Sequence, residues 1–479
     1  MASRPSTGFD PGYAGLVEDV LAHPDDDAPR LVLADALMER GDPRGELIAI
    51  QCARSEEDDA VDRVAALLDA HGDRWTAGLG PKTLSFGFHR GFVEEVRGPS
   101  EVLSRYLPKL QRVAPIRRVL LEKIDHRSVD ALLTALVDVG VRSLALAVPP
   151  PSEFAAAFRR STLSQTLEEL SIVWASEKLL ERPMPRLRTL RTVSYDHDGT
   201  QERAVLGLDA PLEHLILESH SSHVLSRLPE SPLGRTLRRL EVPRASLGAL
   251  AKLRFANLAA VDVGQLAPID EKELAAFERA EVPVRSLGAL GAVRPAMLPR
   301  LLSAPSMAGV EVLELSYCDL GGAGISALSR AQLSLSDLRL RFASEGTGAP
   351  LSSHDVATLV SAPFASRLRL LDLDGNRFGD EGAIAIASRG LNELRVLHLR
   401  DAGIGAAGAG AIADSASLPR LRELDLSEND IGEDGALALS NATGLQRLAR
   451  LQLHFVRVGV RAGRALKARF GGALEKSMS

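Results

Sequence analysis

Chemistry needs nucleophiles, titratable pairs or metal ligands at workable spacing, and this chain of 479 residues offers few of them. His220 and His223, separated by two serines, could turn two imidazoles toward one metal ion, but no third ligand follows nearby, so a solvated loop is the reading and no metal is expected. Cys52 is imaginable as a nucleophile. It sits in "PRGELIAIQCAR" (43–54), whose apolar spacing is helical, and is read as a core residue. Cys318 is the only other cysteine, and two distant thiols make neither a disulfide framework nor a cysteine zinc site. A reducing cytoplasm is the compartment this implies. H-E-x-x-H, G-x-x-x-x-G-K-[ST] and G-x-S-x-G are absent. The glycines of "GGAGIS" (321–326) and "GIGAAGAGA" (403–411) recur at equivalent places in neighbouring segments, so they answer a packing need rather than a phosphate. No catalytic residue, metal ligand or cofactor follows, and the chain is read as non-enzymatic.

What must position the remaining candidates is an internal repeat. "LRLLDLDGNRFGDEG", "LRVLHLRDAGIGAAG", "LRELDLSENDIGEDG" and "LARLQLHFVRVGVRAG" align on Leu371, Leu397, Leu424 and Leu451, with steps of 26, 27 and 27 residues. Earlier copies anchor at Val119, Leu144, Leu170, Leu190, Leu215, Leu240, Val261, Leu287, Leu313 and Leu338, with steps of 20 to 26 residues. A longer step of 33 separates Leu338 from Leu371, and its "ASEGTGAPLSSHD" is expected to bulge as a loop. The alternation around each anchor predicts a short strand with one buried side. The segment after it, such as "GDEGAIAIASRG" (379–390), has helical spacing. Asn376 and Asn429 are placed to hydrogen-bond backbone groups where the chain leaves the strand, and Cys318 occupies the same position; Ala402 and Val456 cannot do this. One unit cannot cover its own apolar face, so units must stack.

Stacking lines up the outward strand residues. The row Glu314, Arg339, Arg341, Asp372, Asp374, His398, Arg400, Asp425, Gln452 and His454, with Ser316 and Ser427, alternates in charge from strand to strand. It reads as a mixed-charge surface whose members pair with each other, or as the concave face that meets a protein partner.

These motifs resemble the leucine-rich repeat family, in the longer ribonuclease-inhibitor-like subtype with helices outside. The resemblance implies an α/β fold, a curved parallel sheet inside and helices outside, with regular repeats over 301–458, degenerate ones over 115–300 and a cap and tail at 459–479.

Residues 12–76 read instead as a small all-α domain, joined by a connecting segment at 77–114. "GYAGLVEDVLAH" and "RLVLADALMER" are helical; Gly41 stops the second, Asp42 caps a third and Pro43 opens it; "DDAVDRVAALLDAHGDRW" is the fourth. Leu31, Asp35 and Met38 share a helix face expected to be buried, which would oblige Asp35 to find a cation: Arg44, with Arg30 and Arg40 as alternatives. "HPDDDAPRLVLADALMERGDPRGELIAIQ" is similar to a bacterial repeat-companion domain found ahead of repeat arrays, which brings no established activity. That family usually has Asp-Trp where this chain has Asp35-Ala36, and "HGDRW" (71–75) and "FHRGFVEEV" (88–96) resemble what often follows.

Composition fits. Hydrophobic residues are 45%, charged 25% and aromatic only 4%, so the core must be aliphatic. The net charge of −6 speaks against a general nucleic-acid binder. The Arg-, Ala- and Gly-rich usage suggests a GC-rich bacterial genome. No run of about 18 apolar residues and no secretory h-region is seen, so no membrane association is expected. The functional expectation is a cytoplasmic, non-catalytic scaffold that binds a protein partner on the concave face. The alternatives are a regulatory or inhibitory subunit that wraps an enzyme and, further off, an enzyme or a nucleic-acid binder.

Overall fold

The N-terminal helices form where apolar spacing and stop signals put them: α1 (Ala14–Ala22), α2 (Ala28–Glu39), α3 (Pro43–Ala53) and α4 (Asp58–Thr76). The computed structural model describes residues 8–54, 58–173, 177–193, 200–218, 222–343 and 351–475. Gly41 ends α2 with φ +71°, its amide bonding to the Met38 carbonyl and that of Asp42 to Leu37, the two bonds of a Schellman turn. The Asp42 carboxylate then accepts the Arg44 amide at 2.9 Å, and Pro43 opens α3.

The orientation of α2 differs from the expectation. Leu31 and Met38 are each 44% exposed and Asp35 is exposed with them. The buried face is Arg30, Leu33, Ala34 and Leu37, also at helical spacing, so the carboxylate needs no partner. The buried charges of α2 and α3 are arginines instead. Arg30 is fully buried and pairs with Glu94 at 2.9 Å, and its Nη2 donates to the Pro24 carbonyl at 2.9 Å. Arg44 lies 3.6 Å from the Phe9 ring centroid and donates to the Gly91 carbonyl at 3.2 Å; burial lowers its pKa to about 9.

The chain divides into two compact units, Met1–His220 with Glu230–Leu237, and Ser221–Pro229 with Arg238–Ser479. In the first, β1 (Ser85–His89) and β2 (Phe92–Pro99) form an antiparallel hairpin, and β2 also starts a parallel ladder through β3 (Arg118–Lys123), β4 (Ser143–Leu146), β5 (Glu169–Val173), β6 (Thr189–Val193) and β7 (His214–Glu218). The hairpin joins head to ladder. Phe92 packs with Phe9, Tyr13, Val17, Leu33, Leu37 and Ile48 of the head, while Phe88 meets Trp75 edge-on at 5.8 Å. Asp25, in the turn before α2, pairs with Arg117 and Arg142, which precede β3 and β4. The segment "FHRGFVEEV" is thus the first strand pair of the repeat sheet.

The second unit is parallel throughout: β8 (Arg239–Ala245), β9 (Ala260–Leu266), β10 (Val284–Gly288), β11 (Val312–Glu314), β12 (Asp337–Arg339), β13 (Leu370–Asp372), β14 (Val396–His398), β15 (Glu423–Asp425), β16 (Arg450–Gln452) and β17 (Leu474–Glu475). Leu287, Leu313, Leu338, Leu371, Leu397, Leu424 and Leu451 face one another directly, all but fully buried. The exception lies between β9 and β10, where a register shift sets Leu287 opposite Val263 rather than Val261. After the cap helix Val460–Phe470 the chain adds β17, with Leu474 opposite Leu451. Residues 344–350 of the long insertion lie outside the described residues; just after them Ser352 and Asp355 form a capping box for the helix Ser353–Leu359.

Candidate functional site

The outward row is set by the ladder. Glu314, Arg339, Asp372, His398, Asp425 and Gln452 are direct cross-strand neighbours in that order, and Glu475 follows Gln452. Two residues on, Ser316, Arg341, Asp374, Arg400, Ser427 and His454 form a second rank, in which Ser316 accepts the Arg341 amide, Asp374 that of Arg400 and Ser427 that of His454.

Much of the alternation is spent within the chain. Arg341 pairs with Glu314 at 2.7 Å and approaches Asp372 at 3.5 Å. His398 reaches Asp372 at 3.8 Å and Glu423 at 3.1 Å. Arg400 pairs with Glu428, while Gln452 and His454 both turn to Glu475. Arg339 lies 4.0 Å from Asp337 of its own strand. Asp372 and Asp425 each accept the amide two residues ahead, at 3.2 and 2.8 Å. Asp372, Ser316 and Ser427 are buried and Arg400 exposed; the other named members of the row are half-buried.

Two of these groups titrate away from their ordinary values. Asp372 and, behind the opposing effect of burial, Glu423 raise His398 to about 9; Asp372 acts through charge across 3.8 Å, and the contact with Glu423 is the hydrogen bond. Burial, then the charge of Asp372, pushes Asp374 up to about 6. Asp372, Asp374 and His398 bring potential metal-ligand atoms within 4.8 Å of one another.

Asp337, Glu423 and Arg450, each one residue before an anchor, share the outward face and enter the same ion pairs, as does Glu475. The period-two alternation that marked the named residues, carried one step further back, identifies the first three. Tyr317 and Phe342 also went unnoticed; they stack at 5.3 Å just past β11 and β12.

The Asn positions close the turns. Asn376 donates to the Leu340 and Leu373 carbonyls and accepts the Ala343 amide; Asn429 donates to Leu399 and Leu426 and accepts the amides of Ala402 and Ile404. The coil containing Ala402 is therefore tied by the asparagine of the next one. The Cys318 thiol donates to the Ala289 carbonyl at 2.8 Å, and burial pushes both it and Cys52 up, away from the thiolate. His220 and the side chain of His223 lie outside the described residues.

The first unit holds a separate groove of about 640 Å³, lined by Ile50, Val61 and Val64 together with arginines and carboxylates. Of these Arg90, Arg117, Arg118 and Arg142 already hold Glu94, Asp25, Glu169 and Glu168. Among the described residues no helix is long and apolar enough to cross a membrane.

A leucine-rich repeat family model matches residues 310–329, 367–387, 391–413 and 418–440. No curated protein matches the chain. Among solved structures it is similar to a chain from the complex of Rad7 and Elc1 in yeast, with 16% identity, a TM-score of 0.43 and coverage of 79% of this chain and 86% of that one. It is also similar to an internalin, InlF, of Listeria monocytogenes, with 14% identity, a TM-score of 0.35 and coverage of 72% and 88%.

Proposed function

Taking as premise that the chain is a leucine-rich repeat protein, we propose that it is a non-catalytic scaffold of the reducing cytoplasm that binds a protein partner on the outward row of its second unit. The observation that carries this reading is the in-register sequence Glu314, Arg339, Asp372, His398, Asp425, which presents charges of alternating sign across adjacent strands. A surface of that kind suits another protein's mixed charges. It suits a nucleic-acid backbone poorly, because Arg341 is held between Glu314 and Asp372. It also suits catalysis poorly: an imidazole at about 9 is protonated at neutral pH and is no general base, and both thiols are raised.

The test is a photo-crosslinking amino acid placed at Arg339 or Asp425 of the full chain, with Ile384, exposed on the helix Gly379–Ser388, as the control position. The two sheet positions should trap one and the same protein, and purified, that protein should bind the unmodified chain. Equal trapping from Ile384, or none from the sheet, rejects the reading.

A further inference from the structure

Three side chains of the second unit exceed what the fold asks of their positions. Three places past each strand from β10 to β16 the backbone is left-handed: Gly291, Tyr317, Phe342, Gly375, Asp401, Glu428 and Phe455 all have φ between +40° and +80°. Glycine meets this without strain, whereas a bulky residue costs about 1 kcal/mol. At 317 and 342 the chain nonetheless carries aromatic rings, stacked at 5.3 Å with 13° between their planes. The Phe342 ring extends over Gly375, where a Cβ would come within 2.2 Å of it. Tyr317 is 43% exposed.

Asp374 is the residue before Gly375, and its carbonyl accepts the Phe342 amide at 2.8 Å. Its Oδ1 accepts the Arg400 amide at 2.8 Å, a task that Ser316 and Ser427 perform in other coils with an uncharged hydroxyl. The carboxylate therefore brings a second oxygen and a negative charge that the turn does not need. Among the described residues no basic side chain forms an ion pair with it: His398 and Arg400, the cations whose charges reach it, are held by Asp372 and Glu423 and by Glu428. Burial beside Asp372 makes that charge costly when it has no cation of its own.

We propose that Tyr317, Phe342 and Asp374 form a receptor for one basic side chain of a protein partner, an arginine by preference, its flat guanidinium against the ring stack and its charge met by Asp374. A ring face attracts a cation and stacks with guanidinium, and a carboxylate completes the pair. The inference rests on the scaffold reading and names the chemistry of the partner.

The experiment pans a random dodecapeptide display library on the full chain and measures the binding of the peptide it enriches. Wild-type protein should enrich peptides with a central Arg or Lys. Affinity for the enriched peptide should fall roughly tenfold or more in Asp374→Ser, Tyr317→Gly and Phe342→Gly, and stay unchanged in Ile384→Ser. Because each of the first three installs what other coils already use, their melting temperatures should equal or exceed that of the wild type. That separates a receptor from a merely structural ring pair, whose loss would lower the melting temperature. Enrichment of peptides without basic residues, no enrichment at all, or unaltered affinity in the three variants overturns the proposal. Binding that requires added zinc or manganese overturns it too and assigns Asp372, Asp374 and His398 to a metal ion. Failure here with cross-linking intact at Arg339 and Asp425 removes only the receptor; failure of both removes the scaffold.

Discussion

His398 shows what a parallel ladder does to a single residue. In the sequence it is one histidine of 11; in the sheet it stands between Asp372 and Asp425, with Glu423 at its Nε2. Its pKa rises from 6.5 to about 9, so the folded protein holds the proton more tightly than the unfolded one. The stabilisation is complete below about pH 6.5 and fades as pH rises through about 9. His398→Asn should therefore cost on the order of 2 kcal/mol near pH 6 and little near pH 10, read as the difference in denaturant midpoints; a pH-independent difference would show that the imidazolium has no such role. Asn429→Ala tests a different economy. It strands the carbonyls of Leu399 and Leu426 and the amides of Ala402 and Ile404, and a loss of about 3 kcal/mol is expected on unfolding in urea. The role of Asn429 was legible because the repeat fixes its position. The partner of Asp35 was misjudged because Leu31/Asp35/Met38 and Arg30/Leu33/Ala34/Leu37 both satisfy helical spacing, and an arginine looks like a surface residue until Glu94 is folded against it.

At the scale of elements, the joint between α2 and α3 is written locally and was readable in full. Gly41→Ala should destabilise the first unit by about 1 kcal/mol, since alanine resists φ +71°, and a thermal melt that did not move would argue against a left-handed residue there. The anchored strands were equally readable, because every anchor must be buried and alternation fixes its neighbours. The hairpin β1–β2 was not identified as part of the sheet: it lacks the repeat's leucine signature, and its place is set by Phe88 and Phe92 packing against the head. The shift between β9 and β10 was hidden as well, since Val261 and Val263 are two residues apart and either can serve as the buried anchor.

On the scale of the whole molecule, stacked coils leave an apolar face at each end that something must cover. In the first unit the helical head does this through the hairpin. In the second, the helix Val460–Phe470 buries Ala462 and Leu466, and β17 accepts the Leu453 amide while Glu475 pairs with Arg450. Removing residues 459–475 should lower the melting temperature and raise the binding of a dye specific for exposed apolar surface; an unchanged melt would mean the last coil needs no cover. The sequence by itself determined the repeat, the buried side of each strand, the caps of the head and the identity of the outward row, because each follows from period, backbone chemistry and the burial of leucine. Only the tertiary structure decided which outward charges neutralise each other, that carboxylates raise the pKa of His398, that two aromatic rings stack beside Asp374, which no basic side chain among the described residues pairs with, and that arginines rather than Asp35 enter the head. Those outcomes depend on distances of a few ångströms between residues some 25 or more apart in the chain, and such distances exist only once the coils are stacked.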